Sequence, residues 1–327
     1  MNRRGIFWQD AVAGWLRFWF ELPSITTLAC MRAGVGIVLF YSLFVYSFDL
    51  ASHFGPGAWG NLALLRQSDP VAWPFSVFDW IDSVWWLWTV HFVAMLVAGA
   101  FALGVLPIVS GPLSVLLYLS YGHRNPAVMV DLDGLLVMSL IYLSVSPCAR
   151  VLTLVPAFLP GLIPAIRRVP LALNEPDPMR SPWGAFMLRL MQVQLCLFYV
   201  HSGLSSMAPA WLQGETLLHP SLLERGLPLG LDTFAMHSAW PVGIAQALTV
   251  LSLFYGLLIW LPRFRYPVLA AVVIVHLLVG VMWGVQSFNV LMVVWNLAFV
   301  SSERLEMLRQ RISPLLALPW LPPPARH

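Results

Sequence analysis

Lysine is missing from this chain: all 18 basic side chains are arginine. Charge of either sign is scarce, at 10% of 327 residues, where a soluble domain carries roughly a quarter. A chain so poor in charge cannot cover itself for water, which excludes a soluble enzyme. Its net charge of +3 is too small and too dispersed for a nucleic-acid binder. Cysteine is nearly absent as well. Cys30, Cys148 and Cys196 lie in or at the edges of apolar stretches, so an extracellular disulfide scaffold is excluded. No two histidines stand at helical ligand spacing, so no metal site is expected. The first 24 residues lack an isolated apolar core with a small-residue cleavage site, and no cleaved signal peptide is expected.

What is present is apolar: 59% of residues are hydrophobic and the mean hydropathy is +0.77. Eight apolar stretches can be marked off, at about 27–48, 83–106, 108–121, 127–147, 183–204, 239–261, 266–284 and 286–301. The sequence predicts an all-α, polytopic bundle of about eight transmembrane helices. The third and eighth stretches are short, and Gly111-Pro112 predicts a tilt or break in the third. Residues 1–26 mix Arg3, Arg4 and Arg17 with Trp8, Trp15, Phe18, Trp19 and Phe20, the pattern of a helix lying in the membrane interface. Residues 27–302 form the membrane domain, and 303–327 a cytoplasmic tail with Leu305, Leu308 and Ile312 on one stripe among arginines. The proline-rich segment 151–182 reads as a loop hugging the inner face. With eight crossings and the N-terminus inside, 13 arginines fall inside and three outside, while Arg32 and Arg189 lie within spans. The positive-inside rule then puts both termini in the cytoplasm of a cell with the protein in its inner (plasma) membrane. The absence of an inverted repeat argues against a transporter.

Polar groups are costly in hydrocarbon, so their positions carry the functional information. His91, His201 and His276 lie within spans, and Asp131 and Asp133 sit in the outer third of the fourth. An outward-opening polar cavity lined by these groups accounts for their placement. Against it stands the commoner role of a membrane histidine, a hydrogen bond between helices. Asp131 and Asp133 point about 200° apart on a helix, so they cannot form a dyad, and one of them is expected to cap or to pair with Arg124. Arg32 and Arg189, near the inner ends of their spans, are expected to be structural. The fifth stretch is the most polar. Gln194, His201 and Ser205 share one helical face, and Gln192, Tyr199 and Ser206 the adjacent one, with Trp211 just beyond. His201, His276, Ser205 and Ser206 are therefore candidate catalytic residues. Gln194, Tyr199, His91, Asp131, Asp133 and Trp211 are candidate substrate contacts.

The run Tyr199-Val200-His201-Ser202-Gly203-Leu204-Ser205-Ser206, followed by Trp211-Leu212-Gln213-Gly214, resembles the horizontally transferred transmembrane (HTTM) family. That family includes the membrane part of the vitamin K-dependent γ-glutamyl carboxylase. Arg32, the stretch from Asn125 through Asp133-Gly134 to Ser146-Pro147, and His276 followed by Phe288 extend the match in the same order over almost the whole chain. The resemblance implies an active site open to the outer face and a lipid-soluble, quinone-like or peptide substrate. It also implies a reduced quinone as the cofactor. The family's key lysine base falls at Ser205 or Ser206 here, and the large soluble region of the carboxylase has no counterpart, so glutamate carboxylation is not expected. Its bacterial relatives imply an alternative, a non-catalytic membrane partner in maturation, export or immunity of a secreted peptide. Partners are thus the bilayer and one such substrate, with no nucleic acid.

Overall fold

The computed structural model describes residues 3–21, 25–58, 75–150, 181–215, 240–283, 285–301 and scattered positions from 303 to 311. The expected inner loop 151–180, most of the outer loops (59–74, 216–239) and the tail with Ile312 lie outside the described residues. All regular structure described is helical, as the composition predicts. The main helices are α1 (Arg3–Phe20), α2 (Thr26–Tyr46), α3 (Leu50–Phe54), α4 (Val84–Leu103), α5 (Pro107–Arg124) and α6 (Asp131–Val145). They continue with α7 (Pro182–Ser205), α8 (Pro209–Leu212), α9 (Trp240–Leu258), α10 (Pro262–Trp283) and α11 (Gln286–Asn296). Each of the eight apolar stretches is a helix, and five are long and apolar enough to cross a membrane: Thr26–Phe54, Val84–Leu103, Pro182–Ser205, Pro241–Leu258 and Pro262–Val281. The third stretch runs unbroken through Pro112 as α5, so of the expected tilt or break there is no break. Proline's missing N–H costs one bond to the preceding turn, and neighbouring helices hold the rest.

The chain divides into two compact units, 1–189 with 300–327, and 190–299. In the first unit α2 packs against α4 along a seam of small side chains. Leu87, His91, Ala94, Ala98 and Phe101 are buried on α4 at alternating spacings of four and three. Gly36 of α2 meets Ala102 so closely that a Cβ there would lie 2.5 Å from its Cα. Small residues let backbones approach, the main source of helix attraction where lipid is as apolar as leucine. Arg32, also on α2, is fully buried and donates from Nη1 to the Cys148 carbonyl at 2.8 Å. Its guanidinium lies over Gly104, which ends α4 in the left-handed region at φ 75°. Any side chain there would meet both a backbone penalty and the guanidinium 2.7 Å away, so Gly104 is required twice. Arg32 is thus structural, as expected, but enclosed rather than snorkelling to water.

Both ends of this unit are tied down by polar contacts. At one, Arg124 donates to the carbonyls of Phe54 (3.2 Å) and Gly55 (2.8 Å) and pairs with Asp79 at 3.5 Å, so its acidic partner is Asp79 rather than Asp131 or Asp133. Asn125 donates to His53 O at 3.1 Å and His123 Nδ1 to Phe75 O at 2.7 Å. At the other, α1 docks on the start of α7. Trp19 and Phe20 pack on Phe186, and Arg189 lies over the Phe18 ring and donates to its carbonyl at 2.9 Å. Trp8, Val12, Trp15 and Leu16 of α1 remain exposed, the apolar face that the sequence assigns to the membrane interface. In the second unit α10 and α11 pack as an antiparallel pair, accompanied by α9 and the C-terminal two thirds of α7.

Candidate functional site

In the second unit five side chains from four helices form one continuous hydrogen-bonded chain. Tyr255 of α9 donates its hydroxyl to Asn296 Oδ1 at 2.8 Å. Asn296 Nδ2 donates to Tyr199 Oη at 3.1 Å, and Tyr199 in turn contacts His276 Nε2 at 2.7 Å. His276 Nδ1 lies 2.7 Å from Asn289 Oδ1. Asn289 and Asn296 are seven residues apart, so both project from one face of α11 and both are buried. On α10, Leu269, Val272, His276 and Gly280 line the inward stripe, and a Cβ at Gly280 would press on Asn289 at 3.3 Å.

The direction of every proton in this chain is determined by two backbone carbonyls. Asn289 Nδ2 points at Val285 O (2.9 Å) and Asn296 Nδ2 also at Met292 O (2.8 Å). A carbonyl only accepts, so both amides are fixed with nitrogen towards it, and Asn289 Oδ1 is left facing His276. That oxygen requires a hydrogen on Nδ1. The remaining nitrogen, Nε2, then carries a free lone pair and accepts from Tyr199, whose oxygen accepts from Asn296. Every donor has an acceptor only in this arrangement. The result is a neutral imidazole held in one tautomer, with a phenol proton aimed at its base nitrogen. Such a geometry allows a proton to pass with little rearrangement of donor, acceptor and the dipoles around them.

The first unit has its own polar cluster, with a different logic. His91 is fully buried, with Nδ1 2.7 Å from Tyr121 Oη and Nε2 2.8 Å from Ser47 Oγ. Ser47 Oγ is 3.3 Å from Leu43 O, an acceptor, so the protons run Tyr121 to His91 to Ser47 to backbone. His91 here is a bridge between α2, α4 and α5, the commoner role of a membrane histidine. Asp133, also buried, accepts from Val130 N–H at 2.5 Å and from the Tyr118 hydroxyl, so it caps α6 and pins it to α5. Asp131 is exposed, as the opposed faces of the two carboxylates require.

The remaining expected site residues scatter. His201 and Ser205 share the exposed face of α7, and Gln194 is half-buried on it. Ser206 returns its hydroxyl to Ser202 O at 2.8 Å, which occupies the proton a nucleophile would need to lose. Trp211 staples α8 to α9 through Nε1, bonded to Thr249 Oγ1 at 3.1 Å and near Ala245 O at 3.3 Å. The structure therefore joins Tyr199 and His276 directly, on the face of α7 adjacent to that of His201. Gln192, on the same face as Tyr199, donates to Ala298 O at 2.6 Å. Sequence reasoning missed Asn289, Asn296 and Tyr255, although two amides seven apart inside an apolar stretch are a signal of the same kind as the histidines. An open concavity of about 600 Å³ lies on α1, between Ala13, Leu16, Arg17, Phe20 and Glu21, and touches none of these groups. Among the described residues no three His, Cys, Asp or Glu side chains converge as a metal site would need. No family model, no curated protein and no solved structure matches the chain.

Proposed function

We propose that this is an eight-span membrane protein of the HTTM type, with both termini cytoplasmic, whose second unit moves a proton to or from a lipid-soluble, quinone-like or peptide substrate at the outer face. The observation that carries the chemistry is the Tyr199–His276 pair, set in one tautomer by Asn289 and Asn296. Two candidates singled out in the sequence for independent reasons, in stretches 77 residues apart, are hydrogen-bonded to each other. The orientation rests on the arginine split of 13 to three.

The rings beside the pair suit a reduced quinone in chemical kind: Phe198 lies 6.1 Å from the Tyr199 ring and 6.2 Å from that of Phe288, centroid to centroid. Tyr199 and His276 are bonded to each other, so a quinone hydroxyl would reach His276 Nε2 by displacing the Tyr199 hydroxyl. When bound, such a cofactor supplies a pair of weakly acidic, reducing hydroxyls. The chain's part is to hold the ring and pass a proton between a hydroxyl and His276 Nε2. Mass spectrometry of lipids, quinones and peptides that co-purify with the protein tests the reading. A quinone-like compound retained by the native chain and lost from His276→Ala supports it. Retention of a peptide alone, unaffected by His276→Ala, would favour the non-catalytic partner.

Two further outcomes are expected. With Cys30, Cys148 and Cys196 replaced, Glu215→Cys should react from outside with an impermeant thiol reagent, and Arg263→Cys only after the membrane is opened. Both positions are exposed in the structure, and the reverse pattern would overturn the topology. Carboxylation should be absent. A base must be free to take a proton near pH 7; Ser206 is committed to a backbone carbonyl, and among the described residues no base is bonded to Ser205. The protein in nanodiscs, given reduced vitamin K, labelled bicarbonate and a glutamate peptide, should incorporate no label above a His201→Ala control.

A further inference from the structure

Tyr199 belongs to a second series that the proton chain does not explain. Its ring lies 4.0 Å from that of Tyr255, centroid to centroid, at 32°. Tyr255 meets Phe299 at 6.2 Å, and Phe299 meets Trp260 at 5.2 Å, both edge to face. Trp260, in the turn that follows α9, is only half-buried, whereas Tyr199, Tyr255 and Phe299 are buried. Four aromatic rings, with centroids 4.0, 6.2 and 5.2 Å apart in turn, thus lead from half-buried Trp260 to a phenol bonded to a base.

Losing an electron makes a phenol a very strong acid, so a tyrosine is easily oxidised only where a base stands ready for its proton. Of the two stacked tyrosines, Tyr255 gives its proton to an amide oxygen, which is too weak a base to keep it. Tyr199 gives its proton to the lone pair of His276 Nε2. An electron vacancy created at Trp260 therefore has one stable resting place along the series, Tyr199.

We propose that Tyr199 is a redox-active tyrosine, which yields one electron through the ring series to Trp260 and, in the same step, its phenolic proton to His276 Nε2. The products are a neutral tyrosyl radical, still accepting from Asn296 Nδ2, and an imidazolium still donating to Asn289. The electron passes to a one-electron oxidant of the organic peroxyl class formed in the bilayer, which becomes a peroxide anion and takes its proton from water. This activity stands apart from any quinone-like substrate, and its test needs none.

The full chain in nanodiscs is oxidised by azide radicals, which become azide, and the protein radicals are followed by time-resolved absorption and freeze-quench EPR. In the native chain an indolyl signal should convert to a neutral tyrosyl signal, more slowly in D₂O. Tyr199→Phe should abolish most of the tyrosyl signal and leave the indolyl radical long-lived. His276→Gln, which accepts a hydrogen bond without keeping a proton, should slow the conversion by about tenfold or more and remove the isotope effect. Should Tyr199→Phe fail to fold, 3-fluorotyrosine placed at position 199 keeps the hydroxyl, and fluorine hyperfine splitting then reports directly whether the radical sits there. A tyrosyl signal unchanged in Tyr199→Phe, or one without fluorine splitting in the labelled protein, would overturn the proposal. Melting of each variant is measured in parallel, since a merely structural hydrogen bond would alter stability and leave the radical where it was.

Discussion

Gly36→Val should be strongly destabilising, while Gly99→Ala should be neutral or mildly stabilising. Both glycines lie in helices of the same packed pair, α2 and α4, so helix propensity alone favours replacing either, by roughly 0.5–1 kcal/mol for alanine. Packing reverses the sign at Gly36. A Cβ there would fall 2.5 Å from Ala102 Cα and 2.7 Å from its Cβ, and neither atom belongs to a flexible side chain that could swing away. The helices must separate instead, and that loosens the seam of Ala94, Ala98 and His91 below. Overpacking of this kind costs about 1–3 kcal/mol, and the branched valine puts the site at the upper end or beyond. At Gly99 the nearest atom to a new Cβ is Phe40 Cδ2 at 4.0 Å, an ordinary contact. Denaturation of the detergent-solubilised protein should show Gly36→Val lowered by several degrees and Gly99→Ala unchanged or raised. Equal melting of the two would mean that α2 and α4 do not pack as closely as described.

The seam also shows what a sequence can and cannot disclose. Hydrocarbon leaves a crossing segment only two ways to pair its backbone groups, a helix or a closed barrel, and continuous apolar stretches of this length suit the helix. The eight apolar stretches therefore marked the helices to within a few residues, even where Pro112 argued for a break. Which faces meet is a different matter, because lipid-facing and protein-facing residues are equally apolar. Ile274, Leu277, Leu278 and Val281 are exposed on α10, and no hydropathy pattern separates them from buried Leu269 and Val272. Polar residues are the exception, and they did indicate the inner faces. On α7 two polar faces lay side by side. The sequence weighted that of His201 because histidine titrates, but the structure builds its network on that of Tyr199 and Gln192. The deciding information was the pair Asn289 and Asn296, amides without titration chemistry, which lie about 90 residues further along the chain and meet Tyr199 and His276 only in the folded unit. For His91 and the Asp131/Asp133 pair the sequence left a structural and a site role side by side, and only the partners Tyr121, Ser47, Tyr118 and Val130 show that His91 bridges helices and that Asp133 is the one that caps.

Asp133→Ala should unfold the protein far more readily than Asp131→Ala, although the residues are two apart in one acidic motif. Asp131 is exposed at the first position of α6, and its loss removes a helix-dipole interaction worth about 0.3–1 kcal/mol. Asp133 is 2% exposed and accepts from two donors at once, the Val130 N–H that α6 itself cannot satisfy and the Tyr118 hydroxyl on α5. Truncation strands both donors in a buried site, and each stranded donor costs about 1–3 kcal/mol. The expected loss is thus about 2–6 kcal/mol, several times that of Asp131→Ala. Asp133→Asn tests the same geometry more finely. Its amide can accept from one donor but must turn N–H towards the other, so it should recover only part of the loss. Tyr118→Phe should cost less than Asp133→Ala, since the carboxylate keeps its backbone donor, and the double variant should lose less than the sum of the two. Additive losses in that cycle would show that Asp133 and Tyr118 act separately. A stable Asp133→Ala that loses a co-purified ligand would return Asp133 to substrate binding.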